Sequence, residues 1–128
     1  MANTNRTKGH NAERLYAKVF QNLGFSHCIT SRYGSRVHDD AGIDLINLPM
    51  NVQIKAGKQR GMNISTLISD IKGAIVKLFP PDAPEHKRPL IVIHRMELKR
   101  GKRRAEEHDV VHMSFEDFKK LINMITWE

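Results

Sequence analysis

Asp44, Gln53 and Lys55 carry side chains of the kinds that metal-assisted hydrolysis of a phosphate ester requires. A carboxylate and an amide oxygen can both bind a hard cation such as Mg²⁺. A lysine beside that cation can orient the attacking water, stabilise the charge that builds up on phosphorus, or do both. Such a set can support hydrolysis of a phosphate ester where the fold brings the three side chains together.

Glu13 adds a second carboxylate from another part of the chain. Apolar residues recur at helical spacing from Lys8 to Leu23, and Gly24 follows as a stop signal, so the pattern predicts a first helix. On this helix Glu13 lies at the rim of the apolar stripe, whereas Arg14 lies on the solvent side. We expect the Glu13 side chain to reach the edge of the sheet and to place a carboxylate oxygen near the cation.

Two short strands must position the other three residues. Segments 42–46 (GIDLI) and 51–55 (NVQIK) alternate apolar and polar residues, and 47–50 fit a hairpin-like turn between them. Their apolar residues are predicted to share the inner face of the paired strands: Ile43, Leu45, Val52 and Ile54. Successive side chains of a strand point to opposite faces, so Asp44, Gln53 and Lys55 are predicted to share one polar face.

The remaining pattern predicts an α/β domain with the order α-β-β-β-α-β-β-α, in which helices flank a mixed central sheet. Further strands are predicted over 27–32, 89–95 and 109–113, and further helices over 65–79 and after Ser114. The turn-rich segment 32–42 indicates an exposed loop, and the charged segment 96–108 indicates a loop or a protruding hairpin. Residues 1–7 are predicted to form a flexible tail, and residues 8–128 a single domain.

The charge balance points to the class of partner. A formal net charge of +7 and a pI near 9.8 favour a polyanion, and nucleic acid is the usual one. We expect no membrane association and a cytoplasmic location, because no apolar stretch is long enough to cross a bilayer and the N-terminal residues lack a secretory signal. The single cysteine, Cys28, excludes an internal disulfide, and we expect it to be a buried structural thiol.

One motif resembles the signature of a known nuclease family. Asp44, eight intervening residues and then Gln53-Ile54-Lys55 look like the D…(D/E)-x-K pattern of the PD-(D/E)XK nucleases. By motif the resemblance spans residues 8 to 57, and the predicted order of elements fits it to the C-terminus.

A second motif is similar to one subgroup of that family. The run from Gly9 to Arg14, which contains Glu13, is similar to the Gly-x-x-x-Glu-Arg opening of the archaeal Holliday junction resolvases and their phage relatives. Other residues follow it in an order similar to that of the subgroup: Gly24, Phe25, Arg32 and Ser35.

The resemblance implies a restriction-endonuclease-like core and an endonuclease that cuts branched DNA, such as a Holliday junction, with Mg²⁺ or Mn²⁺ as its cofactor. It implies metal ligands at the side chains of Glu13, Asp44 and Gln53 and at the backbone carbonyl of Ile54. These residues and Lys55 would form the catalytic centre, and Ser35 would lie near the scissile phosphate. A resolvase makes two symmetric incisions, so we expect a homodimer.

The chain departs from the family pattern at two positions. Gln53 stands where an acidic residue is usual, and its amide brings no negative charge, so the affinity for metal should fall or depend more on Glu13 and Asp44. Ile43 stands where a proline is common. Asp39 or Asp40, in the preceding predicted loop, can supply the missing carboxylate.

Several residues near the predicted site are expected to contact the DNA backbone: Arg14, Arg32, Ser35, Arg36, Lys58 and Arg60. Five more basic residues lie within 99–104, which either grips a distant duplex arm or is a solvated loop. The apolar C-terminal helix either packs on its own sheet or provides a dimer surface. Two other functions stay open, namely a DNA-binding module without metal chemistry, which Gln53 favours, and a restriction or repair nuclease that acts on duplex DNA.

Overall fold

The protein is described by a computed structural model over residues 5–56, 63–95 and 109–125, with side chains from residue 9 onward. Its elements follow in the order α1 (Asn5–Asn22), β1 (Ile29–Thr30), α2 (Ser31–Gly34), α3 (Arg36–Ala41), β2 (Leu45–Ile46), β3 (Asn51–Ala56), α4 (Ile64–Leu78), a 3₁₀ helix (Pro84–His86), β4 (Leu90–Arg95), β5 (Val110–His112) and α5 (Phe115–Met124). The predicted class, an α/β domain with a mixed sheet flanked by helices, is confirmed.

The five strands form one sheet in the order β1-β2-β3-β4-β5. β2 pairs antiparallel with both β1 and β3, β3 and β4 are parallel, and β5 returns antiparallel to β4. The parallel pair runs in register from Asn51 beside Leu90 to Ala56 beside Arg95, and α4 makes the connection between its strands. The prediction that segment 89–95 forms a strand inside the sheet is confirmed.

Apolar side chains cover both faces of this sheet. One cluster joins α1 to the sheet: Ala12, Tyr16, Ala17, Phe20, Cys28, Leu45, Leu48, Val52, Ile54, Ile91 and Ile93. A second joins α3 and α4 to the opposite face: Ala41, Ile43, Ile71, Ile75, Phe79 and Leu90. Cys28 is fully buried in the first cluster, as predicted, and burial raises the pKa of its thiol to about 11. The sheet therefore separates α1 from α3 and α4.

One prediction about the hairpin is wrong, because Ile43 and Leu45 do not share a face. Ile43 packs in the cluster with α4, whereas Leu45 packs in the cluster with α1. The regular strand begins only at Leu45, and the preceding residues still belong to the turn that leaves α3. That turn passes through Gly42, whose φ of 88° lies in the left-handed region that favours glycine.

The segment predicted to be an exposed loop, 32–42, is instead mostly helical. α2 ends at Gly34, and the next residue, Ser35, begins α3 by accepting a hydrogen bond from the backbone N–H of His38 at 3.4 Å. Gly42 then caps the C-terminus of α3. The glycines and serine that favour a loop in the sequence are therefore helix ends in the structure.

The first helix begins earlier than predicted, whereas the last begins where the sequence predicts. α1 begins at Asn5, inside the predicted tail, and residues 1–4 lie outside the described part. Ser114 caps α5 as predicted, and its hydroxyl accepts from the N–H of Asp117 at 3.1 Å. The predicted loop 96–108 is also outside the described residues. None of the helices described is long and apolar enough to span a membrane.

Candidate active site

Asp44 lies where β2 approaches β3, and its carboxylate completes the pairing between them. Its backbone N–H donates to the carbonyl of Val52 at 2.7 Å, and its Oδ2 accepts from the N–H of Ile54 at 2.7 Å. The same oxygen accepts from the side-chain amide of Gln53. The Asp44 carboxylate therefore accepts the hydrogen bond that a carbonyl of a neighbouring strand would otherwise accept from Ile54. This contact fixes the carboxylate beside β3.

Glu13 reaches the same region from α1. It is 6% exposed, although glutamate is rarely buried without a partner. That partner is Arg32 in α2, whose Nη2 donates to both carboxylate oxygens at 3.2 Å. The ion pair joins α1 to α2, and it compensates the charge that Glu13 would otherwise carry alone.

The pKa of Asp44 is raised by its burial and by neighbouring acids. Burial raises the pKa of its carboxyl group to about 7, against the hydrogen bond from Ile54, which lowers it. The negative charges of Glu13 and Asp39 raise it further, and the positive charge of Lys55 lowers it. The charges of Glu13 and Lys55 therefore both act on the carboxyl group of Asp44.

Gln53 is buried between Asp44 and the turn at Gly42. Its Nε2 faces the Asp44 carboxylate and also donates to the carbonyl of Ile54 at 3.3 Å. Its Oε1 would lie 3.1 Å from a Cβ added at Gly42, which would also meet Ile71 at 3.3 Å. The absence of a side chain at Gly42 therefore leaves space for the Gln53 side chain. In the sequence, the only sign of this role is that a glycine stands two residues before Asp44.

The donor set fits a hard divalent cation with oxygen ligands. Asp44 contacts the side-chain amide of Gln53, which also donates to the carbonyl of Ile54, and Glu13 lies close enough to act on the charge of Asp44. Carboxylate, amide and carbonyl oxygens are the usual ligands of Mg²⁺. Rotation of the Gln53 amide by about 180° would exchange its nitrogen and oxygen and present the oxygen beside Asp44. In the part of the chain that the structure describes, no three His, Cys, Asp or Glu side chains form a metal-binding group. The amide and the carbonyl would therefore have to complete the coordination.

The two aspartates considered as substitutes for the missing acid differ in position. Asp39 lies close enough to raise the pKa of Asp44. Asp40 instead lies 3.8 Å from Arg36, one turn earlier in α3. Asp39 is therefore the nearer source of a further negative charge.

A chain of hydrogen bonds that the sequence did not predict runs through Ser35. Its hydroxyl lies 2.6 Å from Nδ1 of His38, and Nε2 of His38 lies 3.1 Å from the carboxylate of Glu85. Arg88 pairs with the same carboxylate at 3.2 Å. The lowered pKa of Glu85, where hydrogen bonds and positive neighbours outweigh burial, keeps it ionised. No sequence signal joins residues so far apart, and the Ser35 hydroxyl is engaged within the protein.

The predicted DNA-contacting residues are only partly described. Arg14 and Arg36 are exposed, and the Arg32 side chain is 39% exposed while it holds Glu13. Lys58 and Arg60 lie outside the described residues, as does segment 99–104.

Comparison of the chain with protein-family models, with curated proteins and with solved structures finds no match. Function therefore has to be argued from the geometry and charge of the site.

Proposed function

We propose that the protein is a metal-dependent DNA endonuclease with a restriction-endonuclease-like core, and that it cuts branched DNA such as a four-way junction. One observation carries the proposal: the buried carboxylates of Glu13 and Asp44, from different elements, lie close enough for one to raise the pKa of the other. Buried acids with perturbed pKa values are concentrated at functional sites. A divalent cation is the partner that would favour their ionised forms.

The residues would divide the work as follows. Asp44 and Glu13 would hold Mg²⁺ or Mn²⁺ with the oxygens of Gln53 and Ile54, and the bound ion would neutralise phosphate charge and acidify a water. Asp44 is fixed by the Ile54 N–H, so its second oxygen can face the ion. Lys55 is on the same strand face as Gln53 and is half-buried, so its ammonium group can orient the water or stabilise the phosphorane.

Branched DNA and a dimer belong to the same proposal. The net charge of +7 supports a polyanionic substrate. Resolution of a four-way junction needs two incisions related by a two-fold axis, and a homodimer supplies two sites with that symmetry.

A second function, a DNA-binding module without catalysis, is favoured by how the protein satisfies its own site. Arg32 neutralises Glu13, and the Gln53 amide donates to Asp44. Both contacts compete with a cation. In this alternative the acids would only order α2 beside a basic DNA-binding surface.

Cleavage of a labelled four-way junction and of a linear duplex of the same sequence, with Mg²⁺, with Mn²⁺ and with a chelator, tests the proposal. We expect metal-dependent incision of the junction in preference to the duplex. Asp44→Asn and Lys55→Ala should abolish incision and retain junction binding. Matched controls are Asp70→Asn and Lys77→Ala, which change the same residue types at exposed positions of α4 and should cut normally.

The outcomes separate the alternatives. Metal-independent binding with no incision under any condition would support the binding module and refute the nuclease. Incision of the duplex at least as fast as the junction would retain the nuclease and refute the branched substrate. Undiminished cutting by both site variants would refute the site assignment.

A further inference from the structure

The side chain of Tyr33 is unusually exposed to solvent. Its side chain is 93% exposed, more than any other large apolar or aromatic side chain that the structure describes. Phe115 of α5 follows at 72%. An exposed aromatic ring adds little to the core, so it is available to a partner outside the folded chain.

The turn that carries Tyr33 is fixed on both sides of it. Ser31 is fully buried, and its N–H donates to the backbone carbonyl of Asp44 at 2.8 Å. Gly34 packs so closely on β1 and β2 that a Cβ there would lie 2.7 Å from the side chain of Ile29 and 2.8 Å from that of Ile46. The ring is therefore presented on a short, anchored helix, so little conformational entropy would be lost when it binds.

The same turn is attached to the acidic site. Arg32, which precedes Tyr33, pairs with Glu13, and Ser31 is bonded to Asp44 itself. On the other side, Arg36 extends into solvent with a side chain that is 93% exposed. Along a few residues of chain, an exposed aromatic ring is thus flanked by Arg32, which pairs with Glu13, and by Arg36, whose exposed guanidinium group has Asp40 at 3.8 Å.

We propose that Tyr33 stacks on a base whose face is exposed at the branch point of the bound DNA, while Arg36 contacts a neighbouring phosphate. Aromatic rings stack on bases of any sequence, and a guanidinium group pairs well with a phosphate. A base inside a continuous duplex has both faces covered, whereas a base at a branch point or fork offers one. This inference rests on the proposed DNA substrate, and it makes Tyr33 the residue that selects DNA with an exposed base face.

Binding is measured with chelator present, so that affinity is separated from cleavage. The probes are a fork carrying 2-aminopurine at its unpaired position, the same fork with an abasic residue there, and a continuous duplex. We expect Tyr33→Ala to weaken binding of the first fork by roughly 5- to 150-fold, the range that loss of one stacked base implies. Tyr33→Phe and Tyr33→Trp keep a ring and should bind that fork as the wild type does.

Two internal controls make the effect specific. Phe115→Ala removes another exposed aromatic ring, on α5, and should leave binding unchanged. The abasic fork should weaken wild-type binding as Tyr33→Ala does, and Tyr33→Ala should lose nothing more on it, because both changes remove one contact. Quenching of 2-aminopurine fluorescence by the wild type and by Tyr33→Phe, but not by Tyr33→Ala, would report the stack directly.

Equal binding of the fork by Tyr33→Ala and wild type would overturn the inference, as would an equal loss on the duplex. These results are distinct from failure of the nuclease proposal. If no metal supports cleavage and the fork still needs a ring at position 33, the stacking contact stands without catalysis. If cleavage is metal-dependent and Tyr33→Ala binds and cuts every DNA normally, the stacking contact alone is refuted.

Discussion

The carboxyl group of Asp44 opposes folding once it is ionised. Burial raises its pKa from 3.8 to about 7, so between these values the folded protein binds more protons at this group than the unfolded chain does. The resulting contribution to stability is present below the unfolded pKa and is lost as the pH rises through the folded pKa. We therefore expect Asp44→Asn, which keeps an oxygen for the Ile54 N–H, to raise the free energy of unfolding above neutral pH by on the order of a few kcal/mol.

Urea unfolding followed by circular dichroism, at an alkaline pH above the folded pKa and at an acid pH below the unfolded one, measures this effect. The gain from Asp44→Asn should vanish at the acid pH. Asp70→Asn at an exposed position of α4 is the control, and it should show no such pH dependence. A variant that is less stable than the wild type at both pH values would contradict the burial argument.

Gln53 keeps the charge of the site low in the absence of metal. Gln53→Glu would add a carboxylate beside Asp44, which is already opposed by Glu13 and by burial. We expect this variant to melt at a lower temperature than the wild type in chelator and to gain more stability from added Mg²⁺, because an ion bound only by the folded state stabilises it.

Thermal melts with and without Mg²⁺ measure both effects. The double variant Asp44→Asn/Gln53→Glu is the matched control, since it has the same number of carboxylates as the wild type. Its melting temperature in chelator should therefore not be lowered as that of Gln53→Glu is. If Gln53→Glu melts as the wild type does under both conditions, position 53 does not face a cation site.

At the scale of elements, Asp117 joins α5 to β4 and α4. It is fully buried, and its Oδ2 accepts from the N–H of Leu90 at 3.2 Å and lies 3.0 Å from Nζ of Lys72. Lys120 lies 3.4 Å from the other carboxylate oxygen. The pKa of Asp117 is lowered because the hydrogen bond and charge of Lys72, the Leu90 N–H and Lys120 outweigh the effect of burial. One carboxylate thus links the start of β4 to α4 and α5.

Asp117→Ala should lower the free energy of unfolding by about 1–3 kcal/mol, because it leaves the N–H of Leu90 buried without an acceptor. The difference from the wild type should shrink as the pH falls through the lowered pKa, where the aspartate itself becomes protonated. Denaturant unfolding measures it, with the exposed neighbour Glu116→Ala as control. Equal losses in the two variants would show that α5 needs no buried carboxylate.

The elements that the sequence predicts well are those whose pattern is long or whose ends are marked. α4 spans Ile64–Leu78, close to the predicted 65–79, because its apolar spacing is regular and Pro80 cannot continue it. The two helices within segment 32–42 were not predicted, because helices of four and six residues are too short for periodicity to reveal them. β2 is only two residues long, so strand alternation gave the wrong face to Ile43.

The site shows the same division between local and tertiary information. Alternation along one strand predicts that Gln53 and Lys55 share a face, and the helical wheel places Glu13 at the rim of α1. Neither pattern contains the Arg32–Glu13 ion pair or the contact between His38 and Glu85. These pairs form between separate elements, so they follow from the packing of the sheet and not from any spacing in the chain.

At the scale of the whole molecule, the net charge of +7 indicates where a polyanion can bind only after the charges that form ion pairs within the protein are set aside. Among the described residues, Arg32 is compensated by Glu13, Arg88 by Glu85, and Lys72 and Lys120 share Asp117. Arg36 is paired with Asp40 at 3.8 Å, but both side chains are exposed, so water screens this pair and the guanidinium group stays accessible to a phosphate.

This distribution predicts how DNA binding responds to salt. Each phosphate that the protein neutralises releases counterions, so the logarithm of affinity should fall linearly with the logarithm of salt concentration, by about 0.9 per phosphate contact. Arg36→Ala should make that slope shallower by about one contact. Lys77→Ala, at the far end of α4, removes the same charge and should leave the slope unchanged. Titrations at several salt concentrations in chelator measure the slopes, and equal slopes for Arg36→Ala and wild type would place the DNA on another face of the molecule.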